Sequence, residues 1–368
     1  MTPSANATGT AKRTVPPSRI LEIDAARCLA ILSLPMIHCY EEFALHSEAP
    51  PGGDVLRTIV MLLCGFAPYL FMVIMGINTT LSKRNSPSDL ARRGLRLILC
   101  FFALNVARFL LPSATESILG EWCLPDGVYF CLTSDILFLA GASLLVIALS
   151  KRLSLRPVYL FAFSLALFAA SAAIPDVSVE NEYLGAFLGN FIRVDSDSCF
   201  PLLSWLVYPC AGLLAGDTVK ATSADPAKKK RFWMGTLCIS AFLLACLWAI
   251  LKGSGHNSLS IIGTTMTEYE NRPLNAICCM SWTCLVASVC ALWCIGVKSD
   301  RIRYAIYSLS DATLVFYCMQ WIIVGWLEYL AWDFCNGHFI LTTVLVYLVS
   351  TILSPIINNL LKAKGISI

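Results

Sequence analysis

The segment RILEIDAARCLAILSLPMIHCYEE, Arg19 to Glu42, sets Asp24, Arg27 and His38 inside an apolar run and closes it with Glu41 and Glu42. Histidine, with an ordinary pKa of about 6.5, suits proton transfer near neutrality. A carboxylate three or four residues further along a helix can reach its ring and hold one tautomer. Such a pair equips a general base or a nucleophile. Arg27 and His38 are eleven residues apart, which at about 100° per residue returns them to nearly the same helical face, roughly 16 Å apart along the axis. Asp24 lies one turn before Arg27, so all three groups are expected to point into a bundle rather than at lipid. A second signal is SPSDLARRGLRLILCFF. Ser86, Pro87 and Asp89 read as a helix start, and Arg93 and Arg96 stand one turn later on one face. Two guanidiniums so placed make a fork for phosphate.

The elements that carry these groups are set by composition. The chain is 57% hydrophobic and only 14% charged, with mean hydropathy +0.70, against about a quarter charged in soluble domains. That balance points to a bilayer. A span needs about 20 mostly apolar residues, and about ten such runs are present, near residues 20–43, 55–81, 90–111, 133–150, 156–174, 201–216, 233–251, 274–297, 310–331 and 339–361. With the N-terminus inside, all but Arg27, Arg57, Arg108, Arg193, Lys252 and Arg272 of the 27 Lys and Arg residues fall on the inner side. The positive-inside pattern therefore predicts an all-α polytopic protein, a single bundle of about ten transmembrane helices with both termini cytoplasmic, multi-pass in the cell membrane and in contact with its lipids. Arg108 and Arg193 are assigned to outer ends and loops.

Residues 1–18 are polar and rich in small residues, and read as a disordered cytoplasmic tail; residues 19–368 form the transmembrane domain. The tail is not read as a secretory signal, because Asp24 and Arg27 interrupt the apolar region that follows it. The lysines of KATSADPAKKKRFW read as an anchor for the seventh span. A net charge of +3 with dispersed basic residues argues against nucleic acid as a partner. The 17 cysteines contain no C-x-x-C and mostly lie inside apolar runs, as small apolar residues. Cys123, Cys131, Cys199 and Cys335 fall in predicted outer loops, where an oxidising compartment would permit pairing. His38, His46, His256 and His338 share no ligand spacing, so no metal is expected. Asn78, Thr79 and Asp135 fit either a pore lining or helix–helix hydrogen bonds.

An arginine with ten residues between it and a histidine in the first span, followed by R-x-x-R at the third, resembles the paired motif of the membrane-bound acyltransferase 3 family. EIDAARCLAILSLPMIH is similar to that family's opening segment, YLFMVIMGINTTLSKR to the end of its second span, and SLSDATLVFYCMQWIIV to its late helix. DILFLAGASLLVIAL and FPLLSWLVYPCAGLLAGD look more like the sister group that contains heparan-alpha-glucosaminide N-acetyltransferase. Two positions depart from the pattern: Cys28 replaces a glycine, and Gln320 stands where the late helix commonly has histidine, so no role is carried over to Gln320.

The resemblance implies an enzyme that moves an acyl group, most often acetyl, from cytoplasmic acyl-CoA to a hydroxyl or amine of a cell-envelope or lipid-linked sugar at the outer face. Arg27, Arg93 and Arg96 would serve the acyl-CoA, His38 the transfer, and Glu41 or Glu42 the orientation of His38. The sister group places its reacting histidine in or after the first outer loop, where this chain has His46, and His38 is preferred because His46 lies among loop residues. A reading from another class remains: a transporter or lipid-linked-sugar flippase in which Asp24, Arg27 and His38 relay protons. The sequence does not fix the acceptor or the oligomeric state.

Overall fold

The computed structural model describes residues 19–45, 53–120, 124–194, 198–253 and 273–365. The tail 1–18, His46, Cys123 and His256 lie outside them. Within them the chain is helical, with no strand beyond an isolated bridge between Val177 and Val194. Eight helical rods are long and apolar enough to cross a bilayer: Leu21–Ala44, Val55–Leu81, Pro87–Leu119, Leu202–Ser223, Pro226–Gly253, Pro273–Ile295, Thr313–Gly337 and Phe339–Ala363. Two further apolar runs form helices Ile136–Arg152 and Pro157–Ala173, each of 17 residues, or about 25 Å at 1.5 Å per residue. The molecule is an all-α polytopic bundle. Pro226–Gly253 shows the character of its surroundings most clearly: it buries Ser240 and exposes Ile239, Phe242, Trp248 and Ile250, as a helix facing lipid does.

Local chemistry sets the helix ends. Ser86 Oγ accepts from the Asp89 backbone N–H (3.2 Å) and donates to Asp89 Oδ2 (2.6 Å), with Pro87 opening helix Pro87–Asn105, the start expected from the sequence. Asp135 caps Ile136–Arg152 by accepting from the Leu137 N–H (2.7 Å). The first helix, Leu21–Cys39, contains Pro35, which removes one backbone donor, and runs into a π-helical turn, Tyr40–Leu45. The rod Pro87–Leu119 carries a second π-helical turn, Val106–Leu110. Widened turns of this kind shift side-chain register and recur at functional sites.

Contacts between helix ends gather the basic segments at one end of the bundle. Lys151 Nζ donates to the Asn85 carbonyl (3.3 Å), Lys229 to Glu22 (2.8 Å) and Arg19 to Asp311 (3.4 Å), and Lys362 pairs with the same Asp311. Lys229, expected only to anchor its span, thus neutralises a carboxylate that is 4% exposed. Cys131 and Cys335 are free thiols, so the pairing considered for the loops does not join them.

Glycines allow the closest helix approaches. A Cβ on Gly76 would lie 2.0 Å from the Pro209 carbonyl oxygen, and one on Gly212 would lie 2.0 Å from that of Val73, so Ala67–Leu81 and Val207–Ser223 meet backbone to backbone, as small residues permit in membranes. Gly76→Leu is expected to force these helices apart and cost more than about 4 kcal/mol. Thermal unfolding in detergent checks it; a midpoint equal to wild type would show that the contact is dispensable.

Candidate active site

The first helix faces the segment that runs from Ile306 to Trp321. At the basic end Arg27 Nη1 donates to Ser310 Oγ (2.8 Å), Ser310 Oγ donates to Asp24 Oδ1 (2.7 Å), and Arg27 and Arg19 lie 3.6 and 3.4 Å from the same carboxylate oxygen. Next along the chain, Asp311 accepts from Asn358 Nδ2 (3.1 Å) and pairs with Lys362. Asp24 is 3% exposed, and two guanidiniums and a hydroxyl compensate its charge as a buried carboxylate requires. Arg27 uses only Nη1 on the protein among the described residues.

Three turns further along the same helix, His38 meets helix Thr313–Gly337. Its ring stacks on Trp321 with centroids 3.6 Å apart and planes at 19°, and it meets Tyr317 edge-on. Nδ1 lies 2.8 Å from Gln320 Oε1. The Gln320 amide nitrogen donates to the Tyr317 carbonyl (3.3 Å), which fixes the amide with its oxygen toward the histidine. Nδ1 is therefore the protonated nitrogen and donates to Gln320, and the Nε2 lone pair has no protein partner among the described residues. Tyr317 Oη donates to Asp135 Oδ2 (2.6 Å), so the carboxylate that caps one helix also anchors the one that carries Gln320. Thr79 donates to the Gly76 carbonyl within its own helix (2.7 Å).

The expectation that Glu41 or Glu42 holds the His38 tautomer is corrected here: that partner is Gln320. Glu42 Oε1 instead accepts from Arg108 Nη2 (2.8 Å). A guanidinium is a better partner for a carboxylate than a neutral imidazole, because the hydrogen bond is charge-assisted. Glu41 is half-buried on the same π-helical turn. Arg108, assigned by charge counting to an outer end, is 8% exposed and lies with Cζ 3.2 Å from the Trp321 ring centroid. At such distances one group occupies each face of the indole, so His38, Trp321 and Arg108 form a stack. The Glu42–Arg108 ion pair bridges the two π-helical turns, Tyr40–Leu45 and Val106–Leu110.

Arg93 and Arg96 stand one turn apart near the basic end of Pro87–Asn105, Arg93 half-buried and Arg96 exposed, and neither has a hydrogen bond or ion pair with a described residue. The structure thus yields two engaged polar clusters at separate levels of the first helix, and, on another helix, a pair of arginines with no hydrogen bond or ion pair to a described residue.

A family model described as an acyltransferase domain matches residues 20–358. The chain belongs to the acyltransferase 3 family. Comparison with curated proteins and with solved structures returned no match. Membership makes this bundle a membrane acyltransferase, so the polar groups read from the sequence as a proton relay lie inside an acyl-transferring domain. Every residue of the His38 stack, and Asp24, Arg27, Ser310, Asp311 and Asn358 of the basic-end cluster, fall within the matched span. Sequence reading of this acyltransferase 3 chain missed Gln320, Trp321 and Arg108. Arg108 left a signal, an arginine in the apolar stretch LNVARFLL, but its position near a span end made interfacial anchoring an equally good account.

Proposed function

We propose that this membrane acyltransferase takes an acetyl group from acetyl-CoA on the cytoplasmic side of the cell membrane and transfers it to a hydroxyl or amine of a cell-envelope or lipid-linked sugar on the outer side. One observation carries the reading: His38 is held by Gln320 with its Nε2 lone pair uncommitted, on the helix whose other end holds Arg27 at the basic end of the bundle. In the direct route the acceptor oxygen or nitrogen attacks the thioester carbonyl and gives its proton to His38 Nε2. The carbon–sulfur bond breaks, and the proton passes to the departing CoA thiolate. The same lone pair would serve as the nucleophile if His38 carries the acyl group. Gln320 supports either route by presenting Nε2 and accepting a hydrogen bond from Nδ1–H while the ring gains charge.

Phosphates cannot enter hydrocarbon, so the CoA nucleotide stays at the mouth, where Arg93 and Arg96 make no hydrogen bond or ion pair with a described residue, and the neutral pantetheine arm threads between helices toward His38. Arg27 positions that path by joining the first helix to Ser310, and its remaining guanidinium donors make no hydrogen bond to a described residue. A charge-assisted contact is worth about 1.5–3 kcal/mol, so Arg93→Ala with Arg96→Ala is expected to weaken acetyl-CoA binding roughly tenfold or more while leaving unfolding unchanged. Equilibrium binding of radiolabelled acetyl-CoA to the purified proteins tests this, and equal affinity in the folded double variant would remove the donor-site assignment.

A further inference from the structure

Around Trp321, on which His38 stacks, and along the same helix face lies a set of buried polar atoms that no described residue matches. Trp321, Gly325 and Glu328 recur at i, i+4 and i+7 and so share one face of helix Thr313–Gly337. Gly325 admits Arg108 to that face: a Cβ at 325 would lie 2.4 Å from the Arg108 carbonyl oxygen and 2.5 Å from its Cγ. Glu328 interacts electrostatically with both Arg108 and Glu42. Arg108 gives Nη2 to Glu42 and its flat face to Trp321. Without a well-formed hydrogen bond to a described residue, and closed to solvent, are Arg108 Nε, Trp321 Nε1, whose polar neighbour is the Tyr317 hydroxyl, and Glu328 Oε2. Buried polar groups are satisfied as a rule, and here two donors and one acceptor remain open along one helix face, beside the ring whose Nε2 is also open.

The open valences define what would fill them. Arg108 already has a carboxylate partner in Glu42 and the Glu328 carboxyl nearby, so an anionic ligand meets no surplus positive charge among the described residues. A ligand that donates to Glu328 and accepts from the Arg108 and Trp321 N–H groups fits, and neighbouring hydroxyls of a neutral polyol do both. We propose that Arg108, Trp321 and Glu328 form the acceptor subsite, binding the neutral polyhydroxylated part of the acceptor and holding one hydroxyl at His38. The assignment rests on the reading of His38 as the reaction centre and is independent of the donor arginines.

The test uses the full-length protein in lipid nanodiscs, with methyl β-glucoside as the neutral probe and glucose 6-phosphate as its anionic counterpart, both titrated by saturation-transfer NMR. Acetyl-CoA binding is measured separately and serves as the folding control. Trp321→Phe keeps an aromatic face on His38 and removes only the N–H; Glu328→Gln keeps the shape and replaces one carboxyl oxygen with an amide. The expected result is saturation of methyl β-glucoside by the wild type, at least tenfold weaker binding of glucose 6-phosphate, and at least a tenfold rise in the glucoside Kd in each variant with unchanged acetyl-CoA affinity. Wild-type glucoside affinity in both variants, no saturation of the glucoside by wild type, or equal binding of the phosphate would each overturn the subsite. A wild type that binds the glucoside but not acetyl-CoA would uphold the subsite and remove the donor reading instead.

Discussion

His38→Ala is expected to abolish acyl transfer while acetyl-CoA still binds. Loss of a positioned general base costs about 10²–10⁴ in rate, and loss of an acyl-carrying nucleophile costs at least as much. The donor contacts proposed for Arg93 and Arg96 lie at the other level of the bundle and are untouched by the change. His38 is enclosed by Trp321, Tyr317 and Gln320, so a folding control is needed, and retained acetyl-CoA affinity supplies it. His38→Gln keeps a polar side chain in the cavity without a titrating nitrogen and should be equally inactive. His46→Ala should retain substantial activity. An active His38→Ala beside a dead His46→Ala would move the reaction centre into the loop and align this chain with the sister group.

The second large effect is expected at Gln320. With Gln320→Leu the Nδ1–H loses its acceptor, the two imidazole tautomers compete, and the ring is free to turn about the Trp321 face. A histidine base held in the wrong tautomer by a changed partner can lose up to about 10⁴ in kcat, so a fall of tenfold or more is expected, with little change in the acetyl-CoA affinity. Gln320→Glu is the informative companion. A carboxylate at that position also accepts from Nδ1–H and so restores the tautomer, but it favours the charged imidazolium. Base catalysis then needs a higher pH, and the acidic limb of the pH–rate profile should move upward while activity at alkaline pH recovers. A Gln320→Leu enzyme with wild-type kcat, or a Gln320→Glu profile superimposable on that of wild type, would reduce Gln320 to a packing residue.

The sequence contained the parts of this site whose spacing is local. An arginine and a histidine eleven residues apart fall on one face because the helix repeat says so, and Arg27 and His38 do both meet the Ile306–Trp321 segment. Ser86, Pro87 and Asp89 marked a helix start because capping is a contact within four residues. The basic segments could be assigned to one end because each helix reverses the direction of the last, and Lys229, Asp311 and Lys362 do meet other basic-end residues there. The groups that sequence reading lost are those whose role depends on a neighbour far away in the chain. Gln320 is 282 positions from His38, and it looked like a missing histidine until the two helices were seen side by side. Glu42 lies at the spacing from His38 that an α-helix would exploit, but a cation from another rod, 66 positions away, takes its oxygen. Both ends of that ion pair sit on π-helical turns, which no apolar periodicity reveals. The partners of Arg108 were not legible because charge counting records that a residue is basic and near a span end, and says nothing about whether Gly325 on another helix makes room for it.

In the proposed reaction the His38 centre moves an acyl group from CoA to an envelope or lipid-linked glycan. The most direct measurement is mass spectrometry of the glycans and lipids of the cell envelope from cells carrying wild-type protein, no protein, or His38→Ala at matched membrane levels. The account predicts an acetyl-bearing species that is present with the wild type and absent from both other samples. An envelope whose acylation is the same in all three, or restored in full by His38→Ala, would contradict it.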